Sequence, residues 1–458
     1  MNCYPSDDLE RRNSVILAKN IGRNLNGFGE DPYSESLSNT VVTPIIAFLK
    51  KMTAAAGRAH TRLIYYMGFN GHLQMRENDS TLSFPTLTAR RCQIITNEES
   101  PPDRISTPTR LSLPNETFSI VATFWSSTVL RDSQGFWHLG YRSHGNDPCR
   151  IDLEEGLEVE DIKGFFGDLG GTIGAVTHSG KLLALKEMPE SQSMRLERCH
   201  RLCRSLTGEN DGDAISVRHV VVAGNDQVCV AVKASHKRAK DDGWAVHVFA
   251  NSRAVFDGDA SLSKHGMSKA VSCITAAATA FALLLEDGCI LTFGSRLQPA
   301  LLARSPTPDL PAEVPCPVEQ LSGIPIQKVV MDQWLGAALS IEQDLYVWGG
   351  RAGETLRINA LPEHEEDVML ADIDDGADIV DVSLGMGHIL AVTAQGSVWA
   401  CGDNKYGQIG LRPRDHGFAP YWSKVEVPGL HDETSISLSA DGWGSWITVE
   451  AGLIVTDP

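Results

Sequence analysis

The apolar positions of this chain fall in runs of a few residues, each broken by a turn of Gly, Asp or another small residue. In DVSLGMGHILAVTAQGSVWACG the runs are Asp381 to Leu384, Ile389 to Thr393 and Ser397 to Cys401, rich in Val, Ile, Ala and Trp. Lengths and compositions of this kind predict strands joined by tight turns.

The same order recurs upstream. VVMDQWLGAALSIEQDLYVWGG opens on Val329 and Val330 and closes on Leu345 to Trp348, with Gln343 and Asp344 taking the turn in place of Gly. ITAAATAFALLLEDGCILTFG, from Ile274 to Gly294, carries a hairpin signal at Asp287 and Gly288. Further copies run from Phe118 to Gly140, from Ile162 to Leu185 and from Val217 to Ala250, the last with a basic insertion in its central turn. That makes six.

A seventh copy is split between the two ends. SISLSADGWGSWITVE, from Ser435 to Glu450, supplies two strands and no third. LIYYMGFNGHLQM, from Leu63 to Met75, has Gly68, Asn70, Gly71 and Gln74 where Gly402, Asn404, Gly407 and Gln408 stand in the sixth copy. First strands that complete the last repeat close a ring, which removes the strand edges that invite aggregation. The prediction is an all-β, seven-bladed propeller over residues 61–452, preceded by a disordered extension at 1–60 and followed by a short tail at 453–458.

Composition narrows the partner. The 458 residues are 42% hydrophobic and 21% charged, ordinary for a chain that buries a core. Forty Lys and Arg against 58 Asp and Glu give a net charge of −18, which makes nucleic acid an unlikely partner. Cys229, Cys273, Cys289 and Cys401 sit inside apolar runs, as expected of free thiols in the reducing cytoplasm or nucleus. Cys199, His200 and Cys203 lack the further ligands that zinc requires, so no metal is expected, and MRLERCHRLCR is instead an amphipathic segment. There Met194, Leu196 and Leu202 pack, while Arg195, Arg198, Arg201 and Arg204 face water. VVTPIIAFL, from Val41 to Leu49, is too short to span a bilayer, and the acidic N-terminus does not suit an export signal.

Catalytic chemistry finds little support. GDLGGTIG, from Gly167 to Gly174, resembles a phosphate loop, but an apolar strand rather than a helix follows it. His388 stands between a glycine turn and an apolar run, away from any paired carboxylate or nucleophile, and is expected to pack with its ring nitrogens on backbone groups. Gly-x-Ser-x-Gly, His-Glu-x-x-His and the Walker pattern do not occur. No catalytic residue and no cofactor is assigned, and the chain is not expected to be an enzyme.

GHILAVTAQGSVWACGDNKYGQIGL resembles a repeat of the regulator of chromosome condensation family, with a Gly-His turn, a Gly-x-Val-x-x-x-Gly segment and an Asn-x-x-Gly-Gln-Leu-Gly ending in which Ile409 replaces Leu. The resemblance extends over about Leu63 to Glu450, weakly in most copies. It gives Gly385, Gly387, His388, Gly396, Gly402, Gly407, Gln408 and Gly410 a structural role in the repeat. It also implies a seven-bladed propeller. The founding member exchanges nucleotide on the GTPase Ran and binds chromatin, whereas relatives inhibit enzymes or act as adaptors. The divergent blades keep no motif onto which exchange residues could be carried.

Two functions therefore stand: a non-enzymatic adaptor that binds another protein, and a guanine-nucleotide exchange factor for a small GTPase. A monomer is expected. Loops and insertions supply the candidate contacts. They are the basic insertion with Lys233, His236, Lys237, Arg238 and Lys240, and the acidic connector with Glu365, Glu366, Asp367, Asp374 and Asp375. Trp443 in ADGWGSW is the third, either core or an aromatic anchor.

Overall fold

The computed structural model describes residues 62–69, 104–110, 118–140, 148–188, 193–199, 214–235, 243–350, 358, 361, 367–411, 417–428 and 434–451. Among them 28 strands form seven four-stranded antiparallel meanders. Blades 1 to 6 span 119–153, 162–198, 214–267, 271–317, 326–370 and 379–425. Blade 7 combines Thr434–Asp441 and Gly444–Ala451 with Arg62–Phe69 and Arg104–Arg110. The predicted architecture and the split seventh repeat are both present. Among the described residues no helix is long and apolar enough to cross a membrane.

The burial pattern explains why the runs looked continuous rather than alternating. Second strands such as Ala280–Leu285, Leu335–Ser340 and His388–Thr393 are buried at every position. Each lies deep in its blade with a neighbouring blade against either face, so both faces need apolar side chains. Seven apolar clusters result, one at each seam, from Ala122 with Leu183 between blades 1 and 2 to Tyr66 with Leu130 between blades 7 and 1.

Closure is made by strand pairing. Arg62–Phe69 lies antiparallel to Gly444–Ala451, in register from Arg62 opposite Glu450 to Gly68 opposite Gly444. Arg62 Nε and Nη2 both donate to Glu450 Oε1, at 2.7 and 2.5 Å. Closure does not remove every edge, contrary to expectation, because it completes a blade internally and leaves the outermost strands on the rim.

One rim contact departs from this pattern. The outer strand of blade 1, Cys149–Leu153, pairs in parallel with that of blade 2, Ser193–Arg198, and joins the two blades into one eight-stranded sheet. The described part of the segment expected to be amphipathic with a wet Arg198 is thus a strand up to Arg198. Met194 and Leu196 are buried by alternation, and Arg198 bridges to Glu154 while donating to the carbonyls of Glu155 and Gly156. Leu202, Arg201 and Arg204 lie outside the described residues.

Candidate functional site

The first strands of successive blades touch one another and line the axis of the ring. Each runs to the same end, where a short turn joins it to the second strand. These seven turns form a collar around the channel mouth, and backbone hydrogen bonds tie five of them to a neighbouring turn. Gly224 N donates to Ala277 O at 3.0 Å, Asn225 N to Ala278 O at 2.8 Å, Ala278 N to Gln333 O at 2.7 Å and Met386 N to Gly442 O at 2.7 Å. Gly442, at φ 53°, leans on the Trp125 ring so closely that a Cβ would lie 3.0 Å from it.

Behind the collar, side chains tie one blade to the next. Thr123 and Ser439 share a hydrogen bond of 2.7 Å, Thr172 N donates to Ser127 Oγ at 3.0 Å, and Ala440 N donates to Ser383 Oγ at 2.8 Å. Lys328 Nζ donates to Asp381 Oδ1 at 2.6 Å and to Val382 O at 2.7 Å, and Asp381 Oδ2 accepts from Leu438 N at 2.8 Å. Such fixed backbone makes a binding surface that loses little entropy when a partner arrives.

The mouth holds about 620 Å³ of space open to solvent, lined by strand ends of six blades. Asp168, Asp332 and Asp441 are among its walls. Burial raises the Asp332 carboxyl well above the usual range, and the nearby charge of Asp441 adds to the effect. Burial likewise lifts Asp441 to about 7. Asp332 Oδ2 is buried and accepts no hydrogen bond. Asp168 is satisfied differently, taking the Gly170 N–H at 2.7 Å. Beside the mouth, Trp443 packs at a tilt between Trp125 and Tyr406 with ring centroids 4.8 and 4.7 Å away, and Lys405 Nζ sits 5.1 Å over Tyr406.

The sequence candidates divide between the two ends. Trp443, half-buried, belongs to the collar. Lys233, half-buried with its ammonium 5.8 Å from the Trp244 ring centroid, lies near the end of the strand Val228–Ser235, away from the collar; His236, Lys237, Arg238 and Lys240 lie outside the described residues. Glu365 and Glu366 also lie outside them. Asp367 accepts from Gln320 Nε2 at 2.9 Å, so part of its acceptor capacity is used within the fold. Asp374 and Asp375 are exposed in the connector from blade 5 to blade 6, also at the far end, with left-handed φ of 51° and 57°. Sequence reasoning missed the mouth carboxylates Asp332 and Asp441.

The residues of the sixth repeat are architectural. His388 is buried and its Nε2 is 2.8 Å from the Ser445 hydroxyl of blade 7, a side-chain partner rather than the backbone alone that was expected. Burial lowers its pKa to about 4, opposed by a hydrogen bond to the Met386 backbone. Gly387 adopts φ 77° in the turn, whereas a Cβ on Gly385 would overlap the His388 ring. Gln408 is buried and accepts from Tyr406 N at 2.9 Å, while Asn404 Nδ2 donates to Leu411 O at 2.7 Å, which fixes the loop beside Trp443. The glycine-rich Gly167 to Gly174 stretch is a strand, turn and strand.

Comparison with known proteins agrees with this architecture. The family described as Regulator of chromosome condensation (RCC1) repeat matches residues 379–408, the first three strands of blade 6 and the loop after them. A stretch of 111 residues is 32% identical to serine/threonine-protein kinase Nek9 of Xenopus laevis and covers 24% of this chain and 12% of the kinase. Another of 111 residues is 35% identical to E3 ubiquitin-protein ligase HERC2 of Homo sapiens, covering 22% of this chain and 2% of the ligase. The chain thus spans only a small part of these relatives. Among solved structures, Prp20p of Saccharomyces cerevisiae, described with its binding to Gsp1p and histones, superposes with a TM-score of 0.55 at 12% identity over 86% of this chain and 93% of that one. Yeast RCC1 (Prp20) in complex with Kap60 gives 0.56 at 12% identity, over 86% and 90%. The shared feature is the propeller fold.

Proposed function

We propose that this seven-bladed propeller, whose sixth blade is a regulator of chromosome condensation repeat, is a non-enzymatic scaffold that holds another protein in the cytoplasm or nucleus. The observation that supports this reading most is the collar: seven turns around a mouth of about 620 Å³, five of them tied to a neighbouring turn by backbone hydrogen bonds. Rigid turns that frame a concave, partly apolar surface suit recognition of a macromolecule.

Exchange on a small GTPase is the second reading, favoured by the fold shared with Prp20p, which is described with its binding to Gsp1p. An exchange factor stabilises the nucleotide-free GTPase, so its complex dissolves when nucleotide and magnesium return. A scaffold is indifferent to nucleotide.

The test is affinity purification of the tagged chain from its own cells in EDTA, with half of the sample then washed in GTP and magnesium. A stoichiometric protein retained through both washes supports the scaffold. A small GTPase released only by the nucleotide wash replaces that reading with exchange. The absence of any stoichiometric protein overturns both.

A further inference from the structure

The seven collar turns share a charge pattern that their scatter along the chain conceals. They comprise residues 124–128, 168–171, 223–227, 276–280, 332–335, 385–388 and 441–444. Together they contain four aspartates, Asp168, Asp226, Asp332 and Asp441, and no Lys or Arg. Five of the seven also carry a large apolar residue: Trp125, Leu169, Trp334, Met386 and Trp443. Leu169 is 44% exposed and the other four are half-buried.

This is an unusual way to finish a channel. Asp332 and Asp441 project from different blades yet line the same mouth, and the Asp441 charge adds to the cost of ionising Asp332. Desolvated like charges of this kind are destabilising unless a cation offsets them. The collar turns offer none. Asp332 Oδ2 is buried without a hydrogen-bond donor, and Asp332 is among the residues that line the mouth. Around the carboxylates stand apolar side chains, the surface over which the methylene stems of Arg and Lys lie while their charged heads seek acceptors.

We infer that the collar receives a basic segment of a partner protein, one of whose Arg or Lys side chains enters the mouth and donates to Asp332 and Asp441. The inference rests on the scaffold reading and gives that partner its chemistry. The −18 net charge of the chain steers such a segment toward the ring, and the locked turns leave the site already formed. Arginine suits the mouth because its planar fork addresses two carboxylates at once.

The probes are a short fluorescent peptide of alternating arginine and serine and its citrulline counterpart, which keeps the shape without the charge. Fluorescence anisotropy is read on the intact chain, on Asp332→Asn with Asp441→Asn, and on Asp374→Asn with Asp375→Asn at the far end. The expected result is binding of the arginine peptide that weakens about tenfold or more with citrulline and equally with the mouth variant, while the far-end variant changes it by less than about twofold. Replacing buried carboxylates by amides removes a desolvation penalty, so the mouth variant melts no lower than the parent, checked beside each titration.

An arginine peptide that fails to bind, or binds the mouth variant as tightly as the parent, overturns the proposal. So does equal weakening by both variants, which marks diffuse attraction to an acidic protein. Repeating the cellular purification with the mouth variant separates the two readings. A partner held by the parent and by the variant alike leaves the scaffold standing and removes this site from it. A partner lost only from the variant supports both.

Discussion

Lys328 on blade 5 and Asp381 on blade 6 form an ion pair of 2.6 Å with side-chain exposures of only 6% and 8%. The Asp381 carboxylate also takes the Leu438 N–H of blade 7, so one charged pair fastens three blades. Removing one partner of a buried pair leaves the other charge desolvated and alone. Lys328→Met is expected to cost about 3–5 kcal/mol, read from the midpoint of urea unfolding at unchanged slope. Adding Asp381→Asn keeps an acceptor for Leu438 without the charge and recovers most of that loss.

Stability has opposing slopes in acid. His388, with a pKa lowered to about 4 from 6.5, stays neutral in the fold while the unfolded chain takes up a proton, so stability falls as pH drops from about 6.5 to about 4, by up to roughly 3 kcal/mol. His247, also lowered to about 4, acts with the same sign. Asp441 is raised from 3.8 to about 7, so the fold holds a proton that the unfolded chain has lost, and stability falls as pH rises through that window. Asp441→Asn is expected to gain stability at pH 7 and to steepen the loss below pH 6, as read from melting temperatures in a pH series.

Two glycines of the same repeat separate space from backbone strain. A Cβ on Gly385 overlaps the His388 ring and comes within 2.9 Å of Gly442 O, whereas Gly396 has open space and only its φ of 76° to defend. Gly385→Ala should cost about 2–3 kcal/mol and Gly396→Ala about 1 kcal/mol, measured by thermal unfolding. Reversal of that order would mean that the seam between blades 6 and 7 relaxes freely.

Arg304, with 7% exposure, donates to four carbonyls, those of Thr292, Leu310, Pro311 and Val314, at 2.9–3.2 Å. A lysine keeps the charge and cannot span the same fork. Arg304→Lys should cost about 2–3 kcal/mol and open residues 305–314 to limited proteolysis, with peptide mapping locating the cuts.

At the closing seam, Arg62 and Glu450 are 27% and 42% exposed, so solvent screens their attraction. Glu450→Ala is expected to cost at most about 1 kcal/mol. Deleting residues 1–69 removes an inner strand of blade 7 and should abolish cooperative unfolding in calorimetry.

The repeat was legible because each copy is written locally. Runs of strand length, the Gly387 turn and the Asp287–Gly288 hairpin all lie within a few residues of what they shape, and even the halves of blade 7 carried recognisable endings. What escaped was contact at one repeat's remove. Ser445, the partner of His388, lies 57 positions on, and nothing near His388 announces it. Ser193–Arg198 looked like a wet amphipathic segment because its parallel neighbour and the residues that occupy Arg198, Glu154 to Gly156, lie more than 40 positions back. The acidic collar was hidden for the same reason, although aligning the first turn of every copy would have shown Asp recurring there without Lys or Arg.

Ring closure by the first strand also sets a timetable for synthesis. Arg62 pairs with Glu450, 388 positions later, and ribosomes add about 5–20 residues each second. Arg62–Phe69 is therefore made roughly 20–80 s before its partner exists. Throughout that interval six blades assemble beside a nascent strand whose buried face, with Tyr65 and Met67, stays uncovered. Completion is a single event that waits for Glu450, and a chain stalled before that residue leaves the ribosome as an open arc for chaperones to hold.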